Sequence, residues 1–391
     1  MTLAPVSTLI STYNRATFLR QALNGVLAQT WLPAQIIVVD DGSEDDTASV
    51  LEKFEQQITC IRQENSGKSV ALNKALRLVN QRFVWVFDDD DIPEPSFIED
   101  HATALIRSSD AAFTYSPYYI FSQNKIGHEC DVHVHSLPDF SDNDLFHNML
   151  YGCLFLQQGS LVRTECFKEL GGYRSDLKRS LDYEILLKIT REYKGIRVNK
   201  PSFYLRCHSG VRGGKSEKFE AVRSMQVWHQ FNKKIFRALA EDLALREYLP
   251  ESKKYLFESG GHLTYHLACL ERMKVMAKRG IWDIAISDFE ILFFGEEPVK
   301  SLDTKDVEEL SIYLTTKLGL KDLIRHPSWR KKFGRLVRQC PDSRVRREIG
   351  RRLYYSFRHS LRDKEFPDAF AIIRLLLKAL TFSDMRAEFI A

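Results

Sequence analysis

The stretch Phe83-Val84-Trp85-Val86-Phe87-Asp88-Asp89-Asp90-Asp91-Ile92-Pro93 decides the fold. Five apolar residues in a row read as a buried parallel strand, and Pro93 keeps it from running on. Four carboxylates then stand together where the strand stops. Adjacent like charges are costly unless something positive lies among them. A divalent cation carrying a phosphorylated ligand answers that need, because hard oxygen ligands suit Mg²⁺ or Mn²⁺. The same stretch also reads as a solvated acidic turn, with Asp91 capping the next helix.

Upstream, Val6 to Thr12 is rich in β-branched residues and reads as a strand, with Tyr13-Asn14-Arg15 at its end. Thr17 to Gln29 reads as a helix with Phe18, Ala22, Leu23, Val26 and Leu27 on one face. Gln35 to Val39 is a second buried strand, ending in Asp40-Asp41-Gly42-Ser43, and a helix capped from Asp45, Asp46 or Thr47 runs through Phe54. Thr59 to Arg62 is a short strand, Asn65 to Ser69 a turn, and Val70 to Val79 a helix. The alternation of strand and helix predicts an open, mostly parallel α/β sheet. Ligands of such sheets gather beyond the carboxyl ends of the strands, which is where Tyr13, Asp40 and Asp88 to Asp91 fall. No G-x-G-x-x-G follows the first strand, so a dinucleotide fold of the Rossmann kind is not supported.

The 391 residues are enough for two domains, and no run of about 18 apolar residues is present to span a bilayer. The start, Met1-Thr2-Leu3-Ala4-Pro5, carries no secretory pattern. Seven scattered cysteines without a C-x-x-C pair point to reduced thiols in a cytosolic compartment and away from structural zinc. The net charge of +4 hides an asymmetry: between Lys321 and Lys364 stand 15 Lys/Arg against 4 acidic residues, which leaves the remainder near −7.

Four motifs in order resemble the family 2 glycosyltransferases: Ser-Thr-Tyr-Asn-Arg (11–15), Val-Val-Asp-Asp-Gly-Ser (38–43), Asn-Ser-Gly-Lys with Ala-Leu-Asn (65–68, 71–73) and Phe-Asp-Asp-Asp-Asp (87–91). Gly159 to Arg163, Leu170 to Tyr173, Leu181 to Glu184 and Tyr204 to His208 are similar to that family's acceptor-side and closing patterns, so the resemblance covers about residues 4 to 212. It implies a GT-A type sheet flanked by helices and inverting transfer of a sugar from a nucleoside diphosphate. It makes Asp182 the base that takes the acceptor's proton. Leu181 stands where the family usually has Glu, and as a structural group Asp182 would cap the helix it begins.

The resemblance lays the family's Asp-x-Asp on Asp88 and Asp90, with Asp90 the principal ligand of Mn²⁺ or Mg²⁺, Asp88 nearer the ribose and Asp89 beside them. His208 would complete the metal shell or touch the diphosphate, or is an ordinary surface or core histidine. Tyr13 offers a face for stacking, Asp40 an acceptor for the imide N–H of a uracil or thymine ring, and Ser11 and Arg15 lie in the same motif. Lys68 would reach a phosphate, or is solvated. The donor implied is a nucleotide-sugar, a UDP-sugar first. Residues 112–158, aromatic and polar by turns, are the expected place for a glycan or lipid-linked acceptor. Two rivals stand beside this reading. A nucleotidyltransferase would want a basic, glycine-rich loop after the first strand, and a catalytically inactive scaffold would act through its helical part.

The expected division is a GT-A catalytic domain at 1–215 and an all-α domain at 216–391. The latter has helices at 217–246, 252–279, 281–295, 305–319, 327–339, 343–362 and 366–381, in an order that hints at helical hairpins without a firm repeat. Within 343–362, Val345, Ile349, Leu353, Phe357 and Leu361 form an i, i+4 stripe among seven arginines. That pattern reads either as an interfacial helix on anionic lipid, at the inner face of the plasma membrane, or as a core stripe with a solvated arginine face. No motif supports nucleic acid as a partner.

Overall fold

The computed structural model describes residues 2–122, 132–207, 224–258, 262–381 and 384. The chain divides into two compact units, Met1–Trp228 and His229–Ala391. The expected boundary at 215/216 lies outside the described residues.

The first unit opens with β1 (Thr2–Thr12), α1 (Ala16–Leu27), β2 (Trp31–Asp40), α2 (Thr47–Glu52) and β3 (Thr59–Arg62). There follow α3 (Lys68–Leu76), β4 (Phe83–Val86), β5 (Ile92–Pro93), α4 (Phe97–Arg107), β6 (Phe113–Tyr115), β7 (Tyr118–Ser122) and β8 (Val132–His135). The last elements are α5 (Leu145–Tyr151), β9 (Ser160–Arg163), α6 (Thr164–Glu169), α7 (Leu181–Glu192), β10 (Gly195–Arg197) and β11 (Phe203–Cys207). Seven strands pair in the order β10-β6-β9-β4-β1-β2-β3, all parallel except β9, which runs against β4 and β6. A smaller sheet has the order β5-β11-β7-β8.

Strand order places the site. From β1 the chain winds outward through β2 and β3, then returns to lay β4 on the other flank of β1. Side by side, β1 and β4 form a topological switch point, and the crevice beyond their carboxyl ends is where such sheets take ligands. β4 is buried throughout, as an interior strand must be. Trp85 stacks on Phe97 of α4 at 4.2 Å between ring centroids, Phe97 stacks on His101 at 4.1 Å, and the Trp85 indole donates to the Gln158 carbonyl at 2.9 Å. These contacts fix the end of β4, and with it the acidic residues that follow. The His101 Nδ1 lies 2.7 Å from Thr114 Oγ1, and burial pushes the ring down to about 3.

The division between the units passes through α8 (Ser224–Asp242), and the second unit goes on with α9 (Glu251–Glu258), α10 (His262–Lys278), α11 (Trp282–Phe294) and α12 (Thr304–Leu314). It ends with α13 (Lys317–Arg325), α14 (Pro327–Gln339), α15 (Ser343–Arg362) and α16 (Phe366–Ala379). The expected helix 305–319 is thus cut at Leu314, and a separate α13 carries the chain on. Gly319 is the reason α13 fits: a Cβ there would lie 2.2 Å from the Ala277 carbonyl oxygen of α10, and the Trp282 indole donates to the Gly319 carbonyl at 2.7 Å.

On α15 the apolar stripe turns inward. Val345, Ile349 and Leu353 are buried, with α12, α14 and α16 packed on the helix, while only Leu361 of the stripe is exposed. Several of its arginines are held by neighbouring carboxylates, Arg344 by Asp342 at 3.0 Å, Arg346 by Asp384 at 3.3 Å and Arg352 by Glu348 at 3.2 Å. Of the two readings of 343–362, an interfacial helix or a core stripe, the buried Val345, Ile349 and Leu353 agree with the core stripe. Among the described residues no helix is long and apolar enough to cross a membrane.

Candidate active site

Asp88, Asp90 and Asp91 each offer a carboxylate oxygen, and these oxygens lie within 4.8 Å of one another. Asp88 Oδ1 accepts from Lys68 Nζ at 2.6 Å and from Gln157 Nε2 at 3.2 Å. Arg15 Nη1 donates to Asp89 Oδ1 at 2.9 Å and to Asp90 Oδ2 at 2.6 Å. Burial raises the Asp89 carboxyl above its ordinary value despite Arg15. Asp91 does not cap α4, whose N-cap position is Ser96. It is buried instead, accepting from the Arg206 backbone N–H at 2.9 Å and from Gln158 Nε2 at 3.0 Å. Burial, then Asp90 and Asp88, push it well above the carboxylate range.

Arg15 and Lys68 bring two positive side chains to four carboxylates. With the Arg206 guanidinium beside Asp90 the carboxylates still outnumber the cations, and the donors are hard oxygens. The residues therefore fit a divalent cation of the Mg²⁺ or Mn²⁺ kind. His208, expected in the same shell, lies outside the described residues.

Asp182 sits in the first turn of α7, after Ser180, whose φ of 55° turns the chain sharply into the helix. The turn leaves Ser180 at the N-cap and Asp182 two residues inside, so Asp182 is not the capping group. Burial pushes its carboxyl above the ordinary range, Lys68 opposes this, and Asp88 adds to it. Lys68 answers to both acids. Burial pulls its ammonium down, but Asp88 and Asp182 more than offset that and hold it above the ordinary lysine value. Lys68 begins α3, where Gly67 (φ 94°) makes the bend, and it joins the acidic loop electrostatically to α7.

The other flank of the crevice is built from the ends of β1 and β2. Ser11 and Tyr13 are half-buried there. Asp40 is buried, accepts from the Ser43 backbone N–H at 2.9 Å and lies 3.6 Å from Arg62 Nε. Asp41 accepts from the backbone N–H groups of Ser66 and Gly67, each at 2.8 Å, so the β2 and β3 loops are tied together. Gly42 (φ 82°) allows this: a Cβ there would meet the Asn65 nitrogen at 3.0 Å. Asn14 and Ser43 lace the β1 loop to the same place, through Asn14 N to Ser43 Oγ at 2.9 Å and Glu44 N to Asn14 Oδ1 at 2.7 Å.

Gln157, Gln158, Tyr173 and Arg206 were not singled out as site residues in the sequence. The Tyr173 hydroxyl donates to Gln157 Oε1 at 3.0 Å, and Asn73 clamps the Tyr173 backbone at 2.7 and 2.9 Å. Arg206 lies between the rings of Phe18 and Phe121, 4.9 and 4.7 Å from their centroids, and donates from Nε to the Asp90 carbonyl at 2.7 Å. The available signal was the pair of glutamines closing an apolar run at 154–156, together with an arginine in a strand that otherwise reads as buried.

An acidic loop at the switch point of a mixed sheet, with a half-buried carboxylate at a helix start coupled to it electrostatically, is an arrangement of the GT-A class. Residues 7–166 match the family described as glycosyl transferase family 2. It is 28% identical over 191 residues to an uncharacterized glycosyltransferase of Rickettsia prowazekii, covering 48% of this chain and 58% of that one. It is 22% identical over 291 residues to the chondroitin synthase of Pasteurella multocida, covering 73% of this chain and 29% of that one. The chain thus spans less than two thirds of the length of these curated relatives. Among solved structures, S. aureus TarS 1-349 in complex with UDP-GlcNAc shares the fold with a TM-score of 0.50 at 16% identity, over 98% of this chain and 93% of that one.

Proposed function

We propose that the first unit is a glycosyltransferase that moves a sugar, with inversion, from a nucleoside diphosphate to a hydroxyl of a growing glycan or a lipid-linked glycan. The observation that carries this is the meeting of Asp182 with the acidic loop through Lys68. In the reaction Asp182 takes the proton of the acceptor hydroxyl as that oxygen attacks the anomeric carbon, and the bond to the diphosphate breaks on the opposite face. A carboxylate whose proton affinity is raised by burial is a stronger base than a solvated one, which suits the role. Asp90, Asp88 and Asp91 would hold the cation, which when bound neutralises the charge of the diphosphate. Arg15 orients Asp89 and Asp90, and Gln157 orients Asp88.

Tyr13 and Asp40 are assigned to the nucleobase, with Ser11 beside them. An imide N–H would find its acceptor in Asp40, which makes a UDP-sugar the first choice and agrees with the UDP-GlcNAc held by TarS. The enzyme would work in the cytosol, at the membrane surface where a lipid-linked acceptor is presented.

The test is hydrolysis of UDP-, GDP- and dTDP-sugars by the purified chain with Mn²⁺, with Mg²⁺ and with EDTA. Slow metal-dependent release of one nucleoside diphosphate is expected, abolished in Asp90→Ala. Asp182→Asn should bind the donor normally and lose transfer to an acceptor by on the order of a hundredfold or more. Neither hydrolysis nor metal-dependent donor binding would leave the inactive-scaffold reading in its place.

A further inference from the structure

The geometry points to α16 as the surface by which this protein docks on an anionic lipid bilayer. Its inner face, with Ala369, Ile372, Leu375, Leu376 and Ala379 buried, belongs to the core of the second unit. Its outer face is also apolar. Phe366 is 52% exposed, Phe370 65% and Leu377 56%. At 3.6 residues per turn these three fall within about 40° of arc and run for about 17 Å along the helix. Leu361, 40% exposed, ends α15 across the short turn from Phe366. Isolated exposed leucines are common, but aligned aromatic and aliphatic side chains on one helix line are not, and they call for a covering phase.

The charges beside this line choose the phase. Arg374 and Lys378, both exposed, follow its flank at about 80° and 120° round from Phe366. Among the described residues neither enters an ion pair. Arg358, Arg362 and Lys364 are exposed at the same end of the α15–α16 hairpin. The carboxylates near them are already spoken for. Asp368, the only acidic residue of α16, is buried against Lys321 at 3.0 Å and Arg325 at 3.5 Å, Glu365 pairs with Lys321 at 3.3 Å, and Asp363 with Lys317 at 3.4 Å and with Arg362 at 3.6 Å. An apolar line flanked by exposed cations, Arg374 and Lys378 foremost, fits the boundary between acyl chains and anionic headgroups, where rings and leucine enter to about 5–10 Å and lysine and arginine stay at the headgroups. Three side chains in a row are too narrow for a lasting protein interface, which takes about 800 Å² from each partner. The arginine-rich α15 lends this surface charge without lending its buried stripe. The inference stands apart from the reading of the active site, since none of its residues belongs to the first unit.

The experiment is flotation of the full chain with vesicles of phosphatidylcholine alone and with about a third phosphatidylglycerol, at about 0.1 M and about 0.5 M salt. Binding to the anionic vesicles alone, weakened by salt, is expected. Phe370→Ser with Leu377→Ser should reduce it on the order of tenfold, and Arg374→Glu with Lys378→Glu, which leaves the apolar line intact, should do the same. Circular dichroism and sedimentation velocity would accompany each variant. Absence of vesicle binding, or binding unaltered in both folded variants, overturns the inference. A dimer that Phe370→Ser with Leu377→Ser dissolves also overturns it, by making the line an interface between copies.

Discussion

At the scale of single residues, Lys68 decides how Asp182 behaves. Its ammonium lies 2.6 Å from Asp88 and lowers the proton affinity of Asp182, which burial and Asp88 raise. With Lys68→Met, the opposing influence is gone and Asp182 should protonate at higher pH. The acidic limb of the pH–rate profile, where the proposed base is lost by protonation, should then move up by about one pH unit or more. Lys68→Arg should keep it near its original place. A limb that stays fixed in Lys68→Met would mean that Lys68 does not act on Asp182 and serves the diphosphate or the loop instead. The residues that hold this site differ in how legible they are. Asp88 to Asp91 announce themselves because four like charges end an apolar run. Gln157, Gln158 and Arg206 are neutral or already partnered, come from distant parts of the chain, and acquire meaning only when β9 and β11 bring them beneath the acidic loop.

At the scale of elements, β1 to β4 are legible because a buried strand has a simple pattern and each ends in polar residues. The antiparallel β9 is not, because its four residues, Ser160–Arg163, look alike for either direction. Helix α13 is hidden for another reason: Gly319 lowers its propensity, and its need for glycine arises only from the approach to α10. Helix α4 carries a charge-dependent weakness. His101 is fully buried between Phe97 and Thr114, with its ring pushed down to about 3. Below about 6.5 the unfolded chain takes up a proton at this ring and the folded chain does not, so stability present in full above that pH is lost as it falls towards the folded value. Near pH 4.5 the loss from this one ring should be about 2–3 kcal/mol. Urea unfolding between pH 7 and 4.5 should therefore steepen less in His101→Gln than in the parent, although the variant starts lower for want of the ring stack. Equal slopes would show that acid sensitivity lies with the carboxylates alone.

At the scale of the whole molecule, the partition of chemistry and charge between the units leads to a sharper expectation than composition does. The excess of basic residues at 321–364 looks like a strong positive field, yet Lys321, Arg325, Lys332, Arg344, Arg346 and Arg351 each face a carboxylate. Sequence counting overstates that field because it cannot see the pairs. The site is partitioned more cleanly. Arg15, Lys68, Asp88, Asp89, Asp90 and Asp182 all belong to Met1–Trp228 and draw their bonds from it, while Trp282, Phe289 and Phe333 give His229–Ala391 a core of its own. Residues 1–228 and 229–391, made separately, should each unfold cooperatively. Mn²⁺ should raise the melting temperature of the first piece and leave the second unmoved, because an ion at about a hundred times its dissociation constant stabilises the state that binds it by about 2.7 kcal/mol. In Asp90→Ala that rise should vanish. Donor hydrolysis should follow the first piece alone. A first piece that folds and takes up Mn²⁺ but does not hydrolyse a donor accepted by the full chain would mean that the helical unit supplies part of the catalytic apparatus.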